Sequence, residues 1–460
     1  MATYSPLANV IISLATASFE RDGFGIPMFI APHRHFKERV IAVTKDSYQT
    51  ALPVGSDSYN AAQTAFAQPN GLSQLLIGRV EADLTLSLPV IPVQNEAFSV
   101  TFVDTDNDEV TLDYTETGAT PTKEDVLSSI AGLVNADASL SGHMVATVVG
   151  TGDTATLDIT TVAASDTFVL KAKSSNIDEG YTATETVDVA YQAISIANDS
   201  AYFVTSSMKD LVSIEALATA VNAQDKQYWF TVSDQEVLGT LSDPVASGDI
   251  LGAVKSNSQD RVVGGYSQTA VTAFPELAAI AFRATFPAGS ITFSNSKTSG
   301  VPAAANTTDT ALLTLTQKQN LLDKNSYFWD TQGGLTFVNS DVKTMSGERP
   351  ENIRGRDNMV VDIKAAVSEL LINQPTGKIP YNNQGVAMIV SVVDDVLQTY
   401  VQRGFIEANY KIEFPDTRLI AAGIKASQKL DGITFTAQLT GAITMVDSIR
   451  GTLQLDEVLA

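Results

Sequence analysis

Three stretches of the sequence gather side chains able to do chemistry. His33 and His35 stand two apart in APHRHF, either side of Arg34. On an extended strand two such imidazoles share a face and could ligate a metal. No third ligand stands beside them, although a distant one could complete a set. The preferred reading is a surface turn that follows the strand MFIAP. The second stretch, DTDNDE at 104–109, resembles the start of a calcium-binding loop, but the glycine and closing glutamate of that pattern are not in their places. A hairpin turn is the simpler reading. The third, MSGERPENIRGRDN at 345–358, concentrates Arg349, Arg354 and Arg356 among Glu348, Glu351 and Asp357. It reads equally well as a solvated, self-neutralising loop or as a salt-bridge patch between subunits, since the planar guanidinium suits paired carboxylates. Phosphate binding ranks well behind both.

No constellation of an enzyme is evident. The chain has no cysteine, which removes thiolate nucleophiles, disulfides and cysteine-ligated metals, and it has three histidines in 460 residues. G-x-G-x-x-G at a strand-to-helix turn, G-x-x-x-x-G-K-[ST], H-E-x-x-H and G-x-S-x-G are all missing. With 52 acidic residues, carboxylate pairs will arise by chance and single out no site. The expectation is a protein that is not an enzyme, with no catalytic, cofactor-binding or metal-binding residue assigned.

Composition narrows the partners. A net charge of −23 without a basic stripe argues against nucleic acid. No apolar run approaches 18 residues, and the first residues lack a basic region before their short apolar stretch, so neither a spanning helix nor a signal peptide is expected. The length suggests two to four domains.

The charge is unevenly spread. Residues 81–190 hold 19 acids and 3 lysines, a net of −16, whereas the other 350 residues net −7. The same region alternates apolar and polar residues at 97–104, 109–116, 143–150, 154–161 and 166–174, with turn-like DTDND, GTGD and AASD between them. One helix interrupts the strands, with Thr122 and Asp125 at capping-box spacing. An acidic α+β module facing water is expected at 91–190.

Around it the sequence predicts a helix at 57–68, a strand at 75–80, a helix at 206–224, strands at 227–234 and 261–267, and helices at 247–257 and 274–286. That alternation points to a sheet covered by helices. A polar connector at 287–303 leads to a helix over 314–330 that starts near Thr316 and runs into the aromatic strand of Tyr327, Phe328 and Trp329, expected in a core or between subunits. Helices follow from Met359 to about 373 and over 385–404, and then long antiparallel strands over 410–415 and 430–455. The apolar, β-prone stretch at 9–17 could, like the last strand, pair within the subunit or add to a neighbour's sheet.

In their order, several stretches resemble the tail sheath proteins of contractile-tailed bacteriophages, in a divergent branch of short myophage sheaths. They are 23–52, 58–79, QYWFTVSD at 227–234, FPAGSITFSNSKTSGV at 286–301, GKIPYNNQGVAMIVSVVDDVL at 377–397 and TAQLTGAITMVDSIRGTLQL at 436–455. The resemblance implies a multidomain α/β and α+β fold: an N-terminal β arm at 1–20, a body over 21–90 and 191–345, the acidic outer domain inserted at 91–190, a C-terminal inner body at 346–445 and a second arm at 446–460. It implies a structural subunit that stacks as rings around a tail tube and contracts to drive the tube through the host envelope. The free energy would be stored in a metastable extended lattice. The implied partners are further copies of the chain, the tail tube, and baseplate and tail-terminator proteins, in a virion tail assembled in the host cytoplasm, without nucleic acid or stable membrane insertion. By that analogy the intersubunit residues are Asn9, Val10, Ile11 and Ile12 in one arm, Ile449, Thr452, Leu453 and Leu455 in the other, and Arg349, Arg354 and Arg356 in the inner body. The competing readings are a baseplate or particle-decorating protein, and a carbohydrate-binding or adhesin role for the acidic insert.

Overall fold

The apolar runs LLIGRV, QYWFTV and VVGGY are buried along their whole lengths, as strands covered on both faces must be. In the computed structural model, which describes residues 24–69, 71–163, 165–241, 247–373 and 377–446, they lie in one eight-stranded sheet. The expected arm residues, Asn9–Ile12 and Ile449–Leu455, lie outside the described residues. The chain divides into two compact units. The larger holds 25–287, 291–354 and the segment from 442; the smaller holds Phe24, Ala288–Ser290 and Gly355–Gly441.

The eight strands are β1 (Pro27–Pro32), β2 (Val40–Val43), β3 (Leu75–Val80), β11 (Phe203–Ser206), β12 (Gln227–Val232), β13 (Val262–Tyr266), β14 (Tyr327–Gln332) and β15 (Leu335–Val338), in the order β15-β14-β13-β12-β11-β1-β3-β2. The six central strands are parallel and the two edge pairings antiparallel. From β1 the chain first adds β3 on one side and later β11 to β14 on the other, so the order reverses between β1 and β11. Helices Asp57–Phe66, Val187–Ala197, Leu211–Asn222, Ile250–Ser256 and Glu276–Ala284 accompany the strands. The sheet covered by helices is thus as expected. Strand β11, whose four residues carry no alternation, was not. The helix at Leu315–Asp323 is capped by Thr314, not Thr316: Thr314 and Gln317 form a reciprocal capping box.

The dipeptide GG in β13 serves packing. A Cβ on Gly265 would lie 2.6 Å from the Tyr327 ring, and one on Gly264 2.1 Å from Met345 Cε. Tyr327, Phe328 and Trp329 are core residues. Two buried charges of the body have partners, whereas among the described residues the Tyr228 hydroxyl on β12 has none. Glu276, fully buried, accepts from Lys209 Nζ and from Thr231 Oγ1, each at 2.5 Å, and Lys324 Nζ reaches Asp249 at 2.6 Å.

The acidic region forms two sheets around its own core. One orders β10 (Asp178–Ala183), β4 (Ala82–Ser87), β8 (Thr156–Thr161) and β7 (Met144–Val149); the other orders β6 (Glu109–Thr115), β5 (Ala97–Val103) and β9 (Val169–Lys173). Helix Lys123–Ala136 carries the expected Thr122–Asp125 capping box and packs Val126, Leu127, Ile130 and Val134 into that core. Strand β4, outside 91–190, hydrogen-bonds with β8 and β10. The run 104–108 is the hairpin turn: Asn107 takes a φ of 72°, and Asp104 Oδ1 accepts from the Asp108 N–H at 2.9 Å. Among the described residues no three potential ligands gather as a metal site.

The histidine pair is not on the surface. His33 and the His35 side chain are each 2 % exposed, with rings stacked 5.0 Å apart. The acidic region covers them from far along the chain. Strand β10 supplies Glu179, whose Oε1 is 3.1 Å from His35 Nε2, and Tyr181, whose hydroxyl is 3.1 Å from the same nitrogen. Between them Arg34 donates to the Ala82 carbonyl, pairs with Glu81 at 3.0 Å and lies over the Phe168 ring. Burial, then the charges of His35, Arg79 and Arg34, hold the His33 pKa well below its ordinary value.

Two outcomes follow. Lys209→Met strands the buried Glu276 carboxylate and should cost roughly 3–5 kcal/mol in urea unfolding; a loss under about 1 kcal/mol would mean that the pair is not what neutralises it. His33 binds a proton more readily unfolded than folded, so its contribution is full above a pH of about 6.5 and is lost as pH falls towards the depressed folded value. His33→Asn, which keeps an acceptor in place of Nδ1, should therefore flatten the decline of stability with acid; an unchanged slope would contradict the assignment.

Candidate assembly interface

The arginine segment is not a loop. Helix Pro350–Ile372 begins within it, with Pro350 in the first turn where a missing N–H costs nothing. Glycine and asparagine in ENIRGRDN weaken the helical signal, but burial of Ile353, Asp357, Asn358 and Met359 outweighs propensity. The helix sorts the three arginines. Arg349, just before it, pairs with Asp341 at 3.0 Å. Arg354 is 2 % exposed; its Nη2 donates to the carbonyls of Ala284 and Phe286, both at 3.0 Å, at the end of helix Glu276–Ala284. A guanidinium there satisfies carbonyls that the helix leaves open and complements its dipole. Arg356 is the outward one: its side chain is 58 % exposed, with Asp357 at 3.4 Å. The structure thus gives Arg354 a place inside the larger unit and leaves Arg356 turned to solvent in the smaller one.

In the smaller unit, helix Pro350–Ile372 and helix Asn383–Gln402 share a core of Met359, Val393, Leu397, Tyr400, Phe405 and Ile406. Asn382 caps the second helix, and Gly404, at a φ of 73°, ends it. Tyr400 donates to Asp362 Oδ2 at 2.7 Å, and burial pushes its phenol pKa up. Gly355 lies so close to Phe405 that a Cβ would sit 2.4 Å from the ring.

The end of this unit differs from the expected long strands. Lys411–Glu413 and Thr434–Thr436 form a two-stranded antiparallel sheet of three residues each, extended by the bridge Ile406↔Leu439. The intervening DTRLIAAGIKAS folds as a 3₁₀ turn at Thr417–Leu419 and a short helix at Ala422–Ala426, which interrupts pairing. Among the described residues neither strand has an outer neighbour, and Phe414, Phe435 and Leu439 are exposed. A cavity of about 470 Å³ opens beside it, walled by Ile363, Val367, Ile389, Val393, Leu430 and Phe435. The apolar cleft thus lies next to strand edges that no described strand covers. The stripe Val386, Ile389 and Val393 was visible in the sequence as helical spacing; its meeting with Phe435 was not.

Replacing Gly355 by alanine tests the packing. In an exposed helix the change stabilises by about 1 kcal/mol. Against Phe405 it should destabilise by roughly 1–3 kcal/mol through overpacking, seen as a lower melting temperature; a raised one would show that the ring is not held there.

Residues 351–411 match the family model described as the E217 tail sheath protein gp31-like C-terminal domain. No curated protein matches the chain. Among solved structures, the sheath tail protein Lin1278 from Listeria innocua aligns with 10 % identity over 85 % of this chain and 88 % of that one, at a TM-score of 0.44. Chains from the anti-feeding prophage baseplate, in six-fold symmetrised and contracted forms, each align with 12 % identity and a TM-score of 0.48, over 99 % and 100 % of this chain respectively and all of theirs. The family match covers 61 of the 460 residues and falls almost wholly in the unit that holds the open strand edges and the apolar cleft.

Proposed function

We propose that this chain is the structural subunit of a contractile phage tail sheath. It polymerises as stacked rings around a tail tube and contracts to drive the tube through the host envelope. The observation that carries this reading is the match of residues 351–411 to a sheath C-terminal domain. The open two-stranded sheet within and beside that match supports it. On this reading the protein acts mechanically, with no nucleotide and no catalytic step. Free energy released as one lattice packing replaces another drives the change.

The arms do the joining. The segment with Asn9, Val10, Ile11 and Ile12, and the one with Ile449, Thr452, Leu453 and Leu455, add strands to the open sheet of a neighbouring copy, where main-chain hydrogen bonds outlast the rearrangement of side-chain contacts. Arg356, exposed on the first helix of the smaller unit, meets an acidic surface of the next copy or of the tube. Arg349 stands at the margin of the same segment, and Arg354 supports the helix from beneath. The body over 21–90 and 191–345, the outer domain around 91–190 and the inner body at 346–445 divide the work into scaffold, exterior and tube-facing layer. Baseplate and tail-terminator proteins cap the assembly in the virion tail, which is put together in the host cytoplasm.

Negative-stain electron microscopy of the concentrated protein is expected to show hollow, striated tubes, formed alone or around added tail tubes. Deleting 1–16 or 448–460 should leave a folded, cooperatively melting monomer that forms none; ordered tubes from both deletions would sink the role of the arms. Arg356→Glu should lower the yield of tubes at least tenfold with an unchanged melting temperature, and wild-type yields would remove Arg356 from the interface.

A further inference from the structure

The reversal of strand order between β1 and β11 creates a crevice at the carboxyl ends of those strands, the place where open α/β sheets hold ligands. A cavity of about 280 Å³ lies at the carboxyl end of β1. Its wall includes the end of β1, the His33–His35 pair, the first turn of helix Asp57–Phe66, and Glu179 and Tyr181 from β10.

Three buried polar atoms of the lining residues have no partner: His33 Nε2, His35 Nδ1 and the Ser58 hydroxyl, of which the first and the last can donate. His33 Nδ1 accepts from the His35 backbone N–H at 3.3 Å, which assigns the proton of the neutral imidazole to Nε2. That Nε2–H is buried and has no acceptor. The Ser58 hydroxyl, on a residue 1 % exposed, is also buried without a partner. Both stand where a ten-residue helix begins, with its N-terminal partial positive charge. The carboxylates beside the cavity are engaged elsewhere: Asp57 accepts from Ser207, and Glu179 from His35. Two buried, unpartnered donors in one cavity cost free energy in the empty protein, and a ligand that supplies acceptors recovers it.

We propose that this cavity binds a small oxyanion, phosphate or a small phosphomonoester, through His33 Nε2–H, the Ser58 hydroxyl and the first-turn N–H groups of helix Asp57–Phe66 other than that of Tyr59, which the Ser56 cap takes. Donors converging on a helix N-terminus suit a tetrahedral oxyanion. The cavity has room beyond one phosphate group for a short organic substituent. Because the site joins the body strand β1 to the acidic module's β10, occupancy also fixes the seam between them.

The chain has three histidines, so their ring nitrogens are separable by NMR in the intact ¹⁵N-labelled protein. Inorganic phosphate, titrated at ionic strength matched with chloride, should shift the His33 ring signals saturably and leave His143, beside Asp106 and Asp166, unmoved. Ser58→Ala removes a hydroxyl that no protein group uses, so its melting temperature without phosphate should match the wild type. Its phosphate affinity should be at least about tenfold weaker, the worth of one hydrogen bond to a charged acceptor. No saturable response at His33, an equal response at His143, or undiminished affinity in Ser58→Ala would each overturn the site.

Discussion

Six parallel strands cannot leave a face open to water, and the rest of the structure follows from covering them. Residues of β12 and β13 are buried without interruption, so their polar groups depend on partners inside the protein, which all but the Tyr228 hydroxyl of the β12 side chains find. Gln227 donates to the Pro350 carbonyl and accepts from the Trp229 indole N–H, and Thr231 shares the Glu276 carboxylate with Lys209. Because 227, 229 and 231 point to one face of β12, these bonds tie that face of the sheet both to helix Glu276–Ala284 and to the start of helix Pro350–Ile372. The two glycines of β13 let Tyr327 and Met345 close the same layer.

The acidic region is joined to this sheet by charge as well as by chain. Arg79, 3 % exposed, spends its guanidinium on the carbonyls of Lys37 and Glu38 and on Glu81. Arg39 pairs with Glu185, whose carboxylate also accepts from the Glu81 N–H. Glu81 and Glu185 stand where the chain enters and leaves the inserted sheets, so an arginine cluster from the body holds both crossings. A module with a net charge of −16 thereby keeps its excess on the water side while its stem is neutralised.

Much of this was legible. Alternation fixed five strands of the acidic region to within a few residues, because period two survives on any half-buried antiparallel strand. The Thr122–Asp125 box marked its helix, since capping is local chemistry. What failed depended on distant residues. His33 and His35 read as a surface turn because nothing near them announces that β10 will cover them. The arginine segment read as a loop because glycine and asparagine lower helix propensity, and only the buried placement of Arg354 under Ala284 and Phe286 reverses that. The strands after 410 read as long because their alternation continues in sequence, whereas the described pairing runs over three residues and one isolated bridge, and 416–426 coils away. Strand edges and cleft walls are the last things a sequence reveals, since they are defined by what does not pair.

The open edges are also where the account of assembly is concentrated. A two-stranded sheet is marginal by itself, and in the smaller unit it has the two-helix core behind it and no described strand on either side. Completion by strands from other copies would convert a local weakness into the joint of a lattice. Electron cryomicroscopy of the assembled protein tests this most directly. The account expects helical tubes in which additional strands hydrogen-bond to the outer edges of Lys411–Glu413 and Thr434–Thr436. A lattice in which both edges face solvent, or an assembly that closes as discrete particles, would contradict it.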